Sequence, residues 1–165
     1  MSERRIGVYI CYCGGNISDY VECEEVREVI KDEPSVVVAK TTMFACADAT
    51  QQEIIEDIQE QDLDGLVVAS CSPTLHLMTF RGVAKRAGLN PFMFEMANIR
   101  EHVSWITEDP NDATEKAKRL VRSAVMRVAH HVALEPRQEA VEQSALVVGG
   151  GIAGIQAALN IAESG

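Results

Sequence analysis

Four of the five cysteines in the chain stand just past the ends of three separate apolar runs. Cys11 and Cys13 follow Ile6-Gly7-Val8-Tyr9-Ile10. Cys46 comes a few residues after Val36-Val37-Val38-Ala39, and Cys71 follows Leu66-Val67-Val68-Ala69-Ser70. If these runs are parallel strands of one sheet, their carboxyl ends meet along the edge where open α/β sheets bind ligands. Thiolates are soft ligands, and four of them converging suit an iron–sulfur cluster or zinc. Cys11 and Cys13, two residues apart, point to the same side of an extended chain and can serve one centre. The competing reading is that all four are buried small hydrophobes, the usual lot of a free cysteine.

Other residues are weighed beside them. Cys23 falls on a helix among Glu22, Glu24 and Glu25, and reads as a bystander or a substitute fourth ligand. His76 lies close to Cys71 and reads as a polar residue near the centre or an alternative ligand. Trp105, Phe92 and Phe94 read as core. Cys11 and Cys13 could also act as a dithiol pair in thiol–disulfide exchange. No nucleophile–histidine arrangement stands out, so no catalytic residue is assigned.

A second motif is Gly149-Gly150-Gly151-Ile152-Ala153-Gly154, which fits G-x-G-x-x-G between the strand-like Ala145–Val148 and a helix-like Ile155–Glu163. In a dinucleotide fold Gly149 makes the tight turn, Gly151 lets a pyrophosphate approach, and Gly154 lets the helix pack on the strand. The ribose-binding acidic residue, expected ~20 residues further on, would fall beyond Gly165. We expect a second domain cut off inside its first β-α unit, with weak or no dinucleotide binding by this chain alone.

The elements that must position these residues alternate. Strands are predicted at Arg5–Ile10, Val36–Lys40, Leu63–Ser70 and Phe92–Met96. Helices are predicted at Glu22–Lys31, from Asp48 as N-cap to Gln61, at Pro73–Ala87 closed by Gly88, over Ile99–Ile106, and from Asp112 as cap to about Val132. Strands separated by helices imply parallel pairing with right-handed crossovers. The expected fold is α/β, a layered Rossmann-like or flavodoxin-like domain with a mostly parallel sheet of four strands over residues 1–134. A polar, proline-broken linker at 135–143 and an orphan β-α unit at 144–165 follow it.

The net charge of −10 makes nucleic acid a poor partner. Met1-Ser2-Glu3-Arg4-Arg5 has no secretory character, and no apolar run is long enough to span a membrane. A cytoplasmic, reducing location is the expectation, where five cysteines favour metal or redox chemistry over disulfides.

Several strings together resemble the A-type subunits of heterodisulfide reductase. They are Tyr9-Ile10-Cys11-Tyr12-Cys13-Gly14-Gly15-Asn16-Ile17, Ala69-Ser70-Cys71-Ser72-Pro73-Thr74-Leu75-His76, the stretch from Gly88 to Glu101, and Ala145 to Ala157. The resemblance runs from Ile6 to the end. It implies an N-terminal domain with a [4Fe-4S] cluster, followed by a thioredoxin-reductase-like FAD domain. By that resemblance Cys11, Cys13, Cys46 and Cys71 are the ligand positions, and Gly149, Gly151 and Gly154 begin the FAD motif. The implied role is electron relay between cluster and FAD in an anaerobic, flavin-bifurcating complex. Its implied partners are other heterodisulfide reductase subunits, a hydrogenase or formate dehydrogenase donor, and ferredoxin, with a homo-oligomer in the full complex. The alternative role is a structural docking module clamped by zinc or an inert cluster. The chain departs from the family's usual string around Cys46, where it reads Met43-Phe44-Ala45-Cys46-Ala47-Asp48, and at Leu77, where an acidic residue is usual.

Overall fold

A computed structural model describes residues 4–164; Met1-Ser2-Glu3, which begin the stretch read as lacking secretory character, and Gly165 lie outside the described residues. The chain divides into two compact units, Met1–Leu134 and Glu135–Gly165.

The first unit carries four strands: β1 (Ile6–Cys11), β2 (Val36–Thr42), β3 (Gly65–Ser70) and β4 (Phe94–Asn98). Its helices are α1 (Cys23–Ile30), α2 (Asp48–Glu60), α3 (Pro73–Ala87) and α4 (Pro110–Ala129). The strands form one parallel sheet in the order β2-β1-β3-β4. The fold is therefore α/β with helices on both faces. Every residue of β1 and β3 is buried, which is why these two strands read as continuous apolar runs. At one sheet edge β2 is only partly covered and accommodates Lys40, Thr41 and Thr42.

Side chains alternate across the pleat. Ile6, Val8, Ile10, Val67 and Ala69 face one layer, where Val26 and Ile30 of α1 meet Ala117, Val121 and Val125 of α4. Tyr9, Leu66, Val68 and Met96 face the other, against Ile54 and Ile58 of α2 and Phe80 and Val83 of α3. Tyr9 is 1% exposed. Its hydroxyl donates to Asp57 Oδ2 at 2.7 Å, which satisfies the one polar atom it takes into the core.

The helix starts follow local chemistry. Ser72 caps α3, its Oγ accepting from Thr74 N at 3.2 Å, with Pro73 in the first turn. Asp109, not Asp112, caps α4: its Oδ1 accepts from the backbone of Asn111 at 2.9 Å and Asp112 at 3.0 Å. Pro110 occupies the first turn of α4, so the Asp109-Pro110 pair is the helix start rather than a break between elements. Likewise Ala47 precedes α2, and Asp48 lies inside its first turn without capping it. The segment expected to be a helix over Ile99–Ile106 is a single π-turn, Arg100–Ser104.

Among its described residues the second unit contains one helix, α5 (Ile152–Glu163). Ala145–Val148, expected as a strand, forms none. A strand requires a partner for its backbone N–H and C=O groups, and the second unit offers none. Among the described residues no helix is long and apolar enough to cross a membrane.

Candidate metal centre

The site is built on three loops that leave the carboxyl edge of the sheet. Cys11 is the last residue of β1 and is 4% exposed. After Tyr12 the chain turns through three consecutive left-handed residues: Cys13 at φ 54°, Gly14 at 59° and Gly15 at 100°. Glycine takes this conformation freely, but for Cys13 it costs roughly 1–2 kcal/mol. Such strain persists only where the surroundings impose it, and it concentrates at functional sites. Here it turns the Cys13 N–H back to donate to Cys11 Sγ at 3.3 Å. The C-x-C pair is therefore not extended, yet both side chains face one cavity.

Cys46 stands on the loop between β2 and α2 and is exposed. The neighbouring Ala45 N–H donates to Cys11 Sγ at 3.3 Å, which ties this loop to the end of β1. Gln51 of α2 donates from Nε2 to Cys46 O at 2.8 Å. Arg86 of α3 holds Gln51 in turn, donating from Nη2 to Oε1 at 2.7 Å. Phe44, on the same loop, covers Gly14.

Cys71 follows β3 directly and is 7% exposed. One strand further, Asn98 ends β4, and its Oδ1 accepts from the backbone of Arg100 at 3.3 Å and Glu101 at 3.0 Å. These bonds hold the start of the π-turn, a feature frequent at functional sites. Arg100 then reaches over the edge: Nη1 donates to Cys13 Sγ at 3.5 Å and Nη2 to Glu101 Oε1 at 2.8 Å. The ring of Trp105 lies 4.7 Å from its guanidinium carbon.

All four candidate cysteines line a single cavity of about 130 Å³, with Phe44, His76 and Arg100 among its other walls. Because β1 and β3 are adjacent, Cys11 and Cys71 flank the point where the strand order reverses, the usual ligand crevice of such sheets. His76 faces the cavity while its Nδ1 contacts Thr79 Oγ1 at 3.3 Å. Cys23 does not line the cavity; it is buried in the layer between α1 and α4. Burial pushes the Cys23 thiol up to about 12, helped by the charge Cys11 would carry.

Burial likewise raises the Cys11 thiol, against the two backbone N–H donors that favour its thiolate. At Cys71 burial raises the thiol, and the Arg100 charge pulls it back. Among the described residues no three His, Cys, Asp or Glu side chains are grouped tightly enough to hold one metal ion. Two buried polar atoms on cavity-lining residues, Ser70 Oγ and Arg100 Nε, have no hydrogen-bond partner among the described residues. Both are donors, as the sulfides of an iron–sulfur cluster would require. The donor set and the cavity fit such a cluster.

No family model matches the chain. Individual proteins do. The chain is 51% identical, over its whole length, to the A-type subunit of the "H(2):CoB-CoM heterodisulfide,ferredoxin reductase" of Methanothermobacter marburgensis, of which it covers 25%. It is 52% identical, over 99% of its length, to an A-type "iron-sulfur subunit" of the CoB–CoM heterodisulfide reductase of Methanopyrus kandleri, again covering 25%. It is 43% identical, over 98% of its length, to the A-type subunit of the "Ferredoxin:CoB-CoM heterodisulfide reductase" of Methanosarcina mazei, covering 20%. The chain belongs to the family of heterodisulfide reductase A-type subunits. It spans about a quarter of the length of the curated relatives it matches. Those relatives are named as subunits of an oxidoreductase.

The second motif of the chain keeps its glycine logic without a strand. Gly149 sits at φ 115°. An added Cβ at Gly154 would fall 1.9 Å from Gly149 O, so α5 meets the preceding turn only because Gly154 has no side chain. Gly151, before the first turn of α5, faces open space, which leaves its backbone accessible to a phosphate.

Several working residues have little or no signature in the sequence. The only signal for Arg100 is its position two residues past the end of β4, on the edge that bears the cysteines. Gln51 and Arg86 carry none, because their roles need α2 and α3 packed side by side. Trp105, expected in the core, is 57% exposed and stacks on Arg100 instead. Phe94 is core, and Phe92 is only partly covered, under Arg81 at 5.0 Å.

Proposed function

We propose that this chain is an electron-transfer domain whose cavity holds a [4Fe-4S] cluster on Cys11, Cys13, Cys46 and Cys71. Such a cluster supplies one-electron transfer at a potential set by burial and by hydrogen bonds to its sulfurs. The observation that carries the reading is the lining of one cavity by all four cysteines, one from the end of β1 and three from the loops that follow three strands. Residues of the chain prepare the site in three ways. Cys13 and Ala45 direct N–H groups at Cys11 Sγ. The sheet and helix α3 exclude water from Cys11 and Cys71, while the exposed Cys46 keeps one side open to an electron partner. Gln51 and Arg86 hold the Cys46 loop in place.

In the longer protein the partner in the relay is FAD, bound on the motif of Gly149, Gly151 and Gly154. The wider role is that of a cytoplasmic heterodisulfide reductase complex that bifurcates electrons, with ferredoxin and a hydrogenase or formate dehydrogenase type donor. The relatives' names, with "iron-sulfur" and "ferredoxin" among them, support this reading.

Anaerobic purification or reconstitution, followed by iron and sulfide analysis and EPR after reduction, tests it. The expected result is about four irons and four sulfides per chain, with a one-electron signal. Zinc without a redox-active signal would instead establish the docking module.

A further inference from the structure

The guanidinium of Arg100 is placed for more than structure. Its side chain is 15% exposed, one nitrogen donates to Cys13 Sγ at 3.5 Å, and Nε is buried with no partner among the described residues. Three devices hold it there. Asn98 holds the start of the π-turn from which it projects. Glu101 pairs with Nη2 at 2.8 Å, and Trp105 stacks at 4.7 Å. Glu101 Oε2 is itself buried and has no partner among the described residues, so there its second oxygen neutralises no other cation. A surface arginine needs none of this; a fixed positive charge aimed into a thiol-lined cavity does.

We propose that Arg100 is the residue that sets the reduction potential of the centre, and that Glu101 moderates it. The inference rests on the cluster reading above. Reduction brings one electron from an external one-electron donor and adds one negative charge beside the thiolates. No bond is made or broken, and no proton is required. A cation fixed at Cys13 Sγ favours the more negative state, and its hydrogen bond to the sulfur acts in the same direction. Glu101, paired with that cation, opposes it.

The test is a redox titration of the 165-residue chain, reconstituted anaerobically with iron and sulfide and followed by EPR. Arg100→Gln is expected to lower the ratio of reduced to oxidised centre at a fixed ambient potential about tenfold or more. That is a downward shift of about 59 mV or more for a one-electron couple. Arg100→Lys keeps the charge and shifts the potential less, in the same direction. Glu101→Gln keeps an acceptor for Arg100, removes the opposing charge and shifts the potential upward. Full iron content with an unmoved potential in Arg100→Gln overturns the assignment. If Arg100→Gln takes up no iron, Glu101→Gln decides alone: an upward shift upholds the assignment, and no shift or a downward one overturns it. An unaltered chain without iron and sulfide overturns the cluster reading itself, and the two failures are distinct.

Discussion

The ring of Phe44 lies so close over Gly14 that a Cβ added there would fall 2.8 Å from Cε1 and 2.9 Å from Cζ. Two loops from different strands thus meet where one has no side chain and the other has a large one. Gly14→Ala faces the left-handed φ of 59° as well as the ring. We expect a loss of about 1–2 kcal/mol, since the half-exposed Phe44 can yield while the backbone cannot. The thermal midpoint of the metal-free chain checks the stability. Iron content should fall as well, because the same turn aims Cys13.

Cys46 separates ligation from folding. It is exposed, so Cys46→Ser should change the stability of the metal-free chain by no more than about 0.5 kcal/mol. The same change should lower iron and sulfide content and alter the EPR signal. Equal iron in both chains would remove Cys46 from the ligand set.

Cys23 gives a pH dependence of defined sign. In the folded chain its thiol is pushed up to about 12 from an ordinary value of 9.0, mainly by burial. The folded state therefore holds its proton more tightly than the unfolded chain. The stability this represents is complete below about pH 9 and is lost as pH climbs toward 12. A difference of that size corresponds to roughly 4 kcal/mol at most. Tyr9, raised by burial and by its bond to Asp57, acts in the same direction. Cys23→Ala should cost about 1 kcal/mol near neutral pH and become the more stable chain above about pH 10. Denaturant midpoints of both chains across that range measure the crossing. Iron content should not change.

Asp109→Ala removes an acceptor that serves two backbone N–H groups at the start of α4. A loss of about 1 kcal/mol is expected, and a fall in thermal midpoint of about 3 °C. Asp112→Ala, which loses no cap, should cost distinctly less.

What can be read in the sequence is local. Period and run length place four strands and their helices, with ends shifted by up to three residues. Pro73 and Gly88 mark α3, and the four cysteines are visible at strand ends. Differences arise where two nearby residues could do the same job, as with Asp109 and Asp112. They also arise where an element depends on a partner, as with Ala145–Val148.

Residue type and order suffice for the α/β class, for the donor chemistry of the thiols and for the glycine turn. Packing in three dimensions is what puts β1 between β2 and β3, which brings Cys11, Cys13, Cys46 and Cys71 to one cavity. It also makes Arg100, from beyond the end of β4, part of the wall, and sends Cys23 to another layer. Strand order and the left-handed turn at Cys13 depend on pairing and packing between segments far apart in the chain. Spacing along the chain carries no direct record of that pairing.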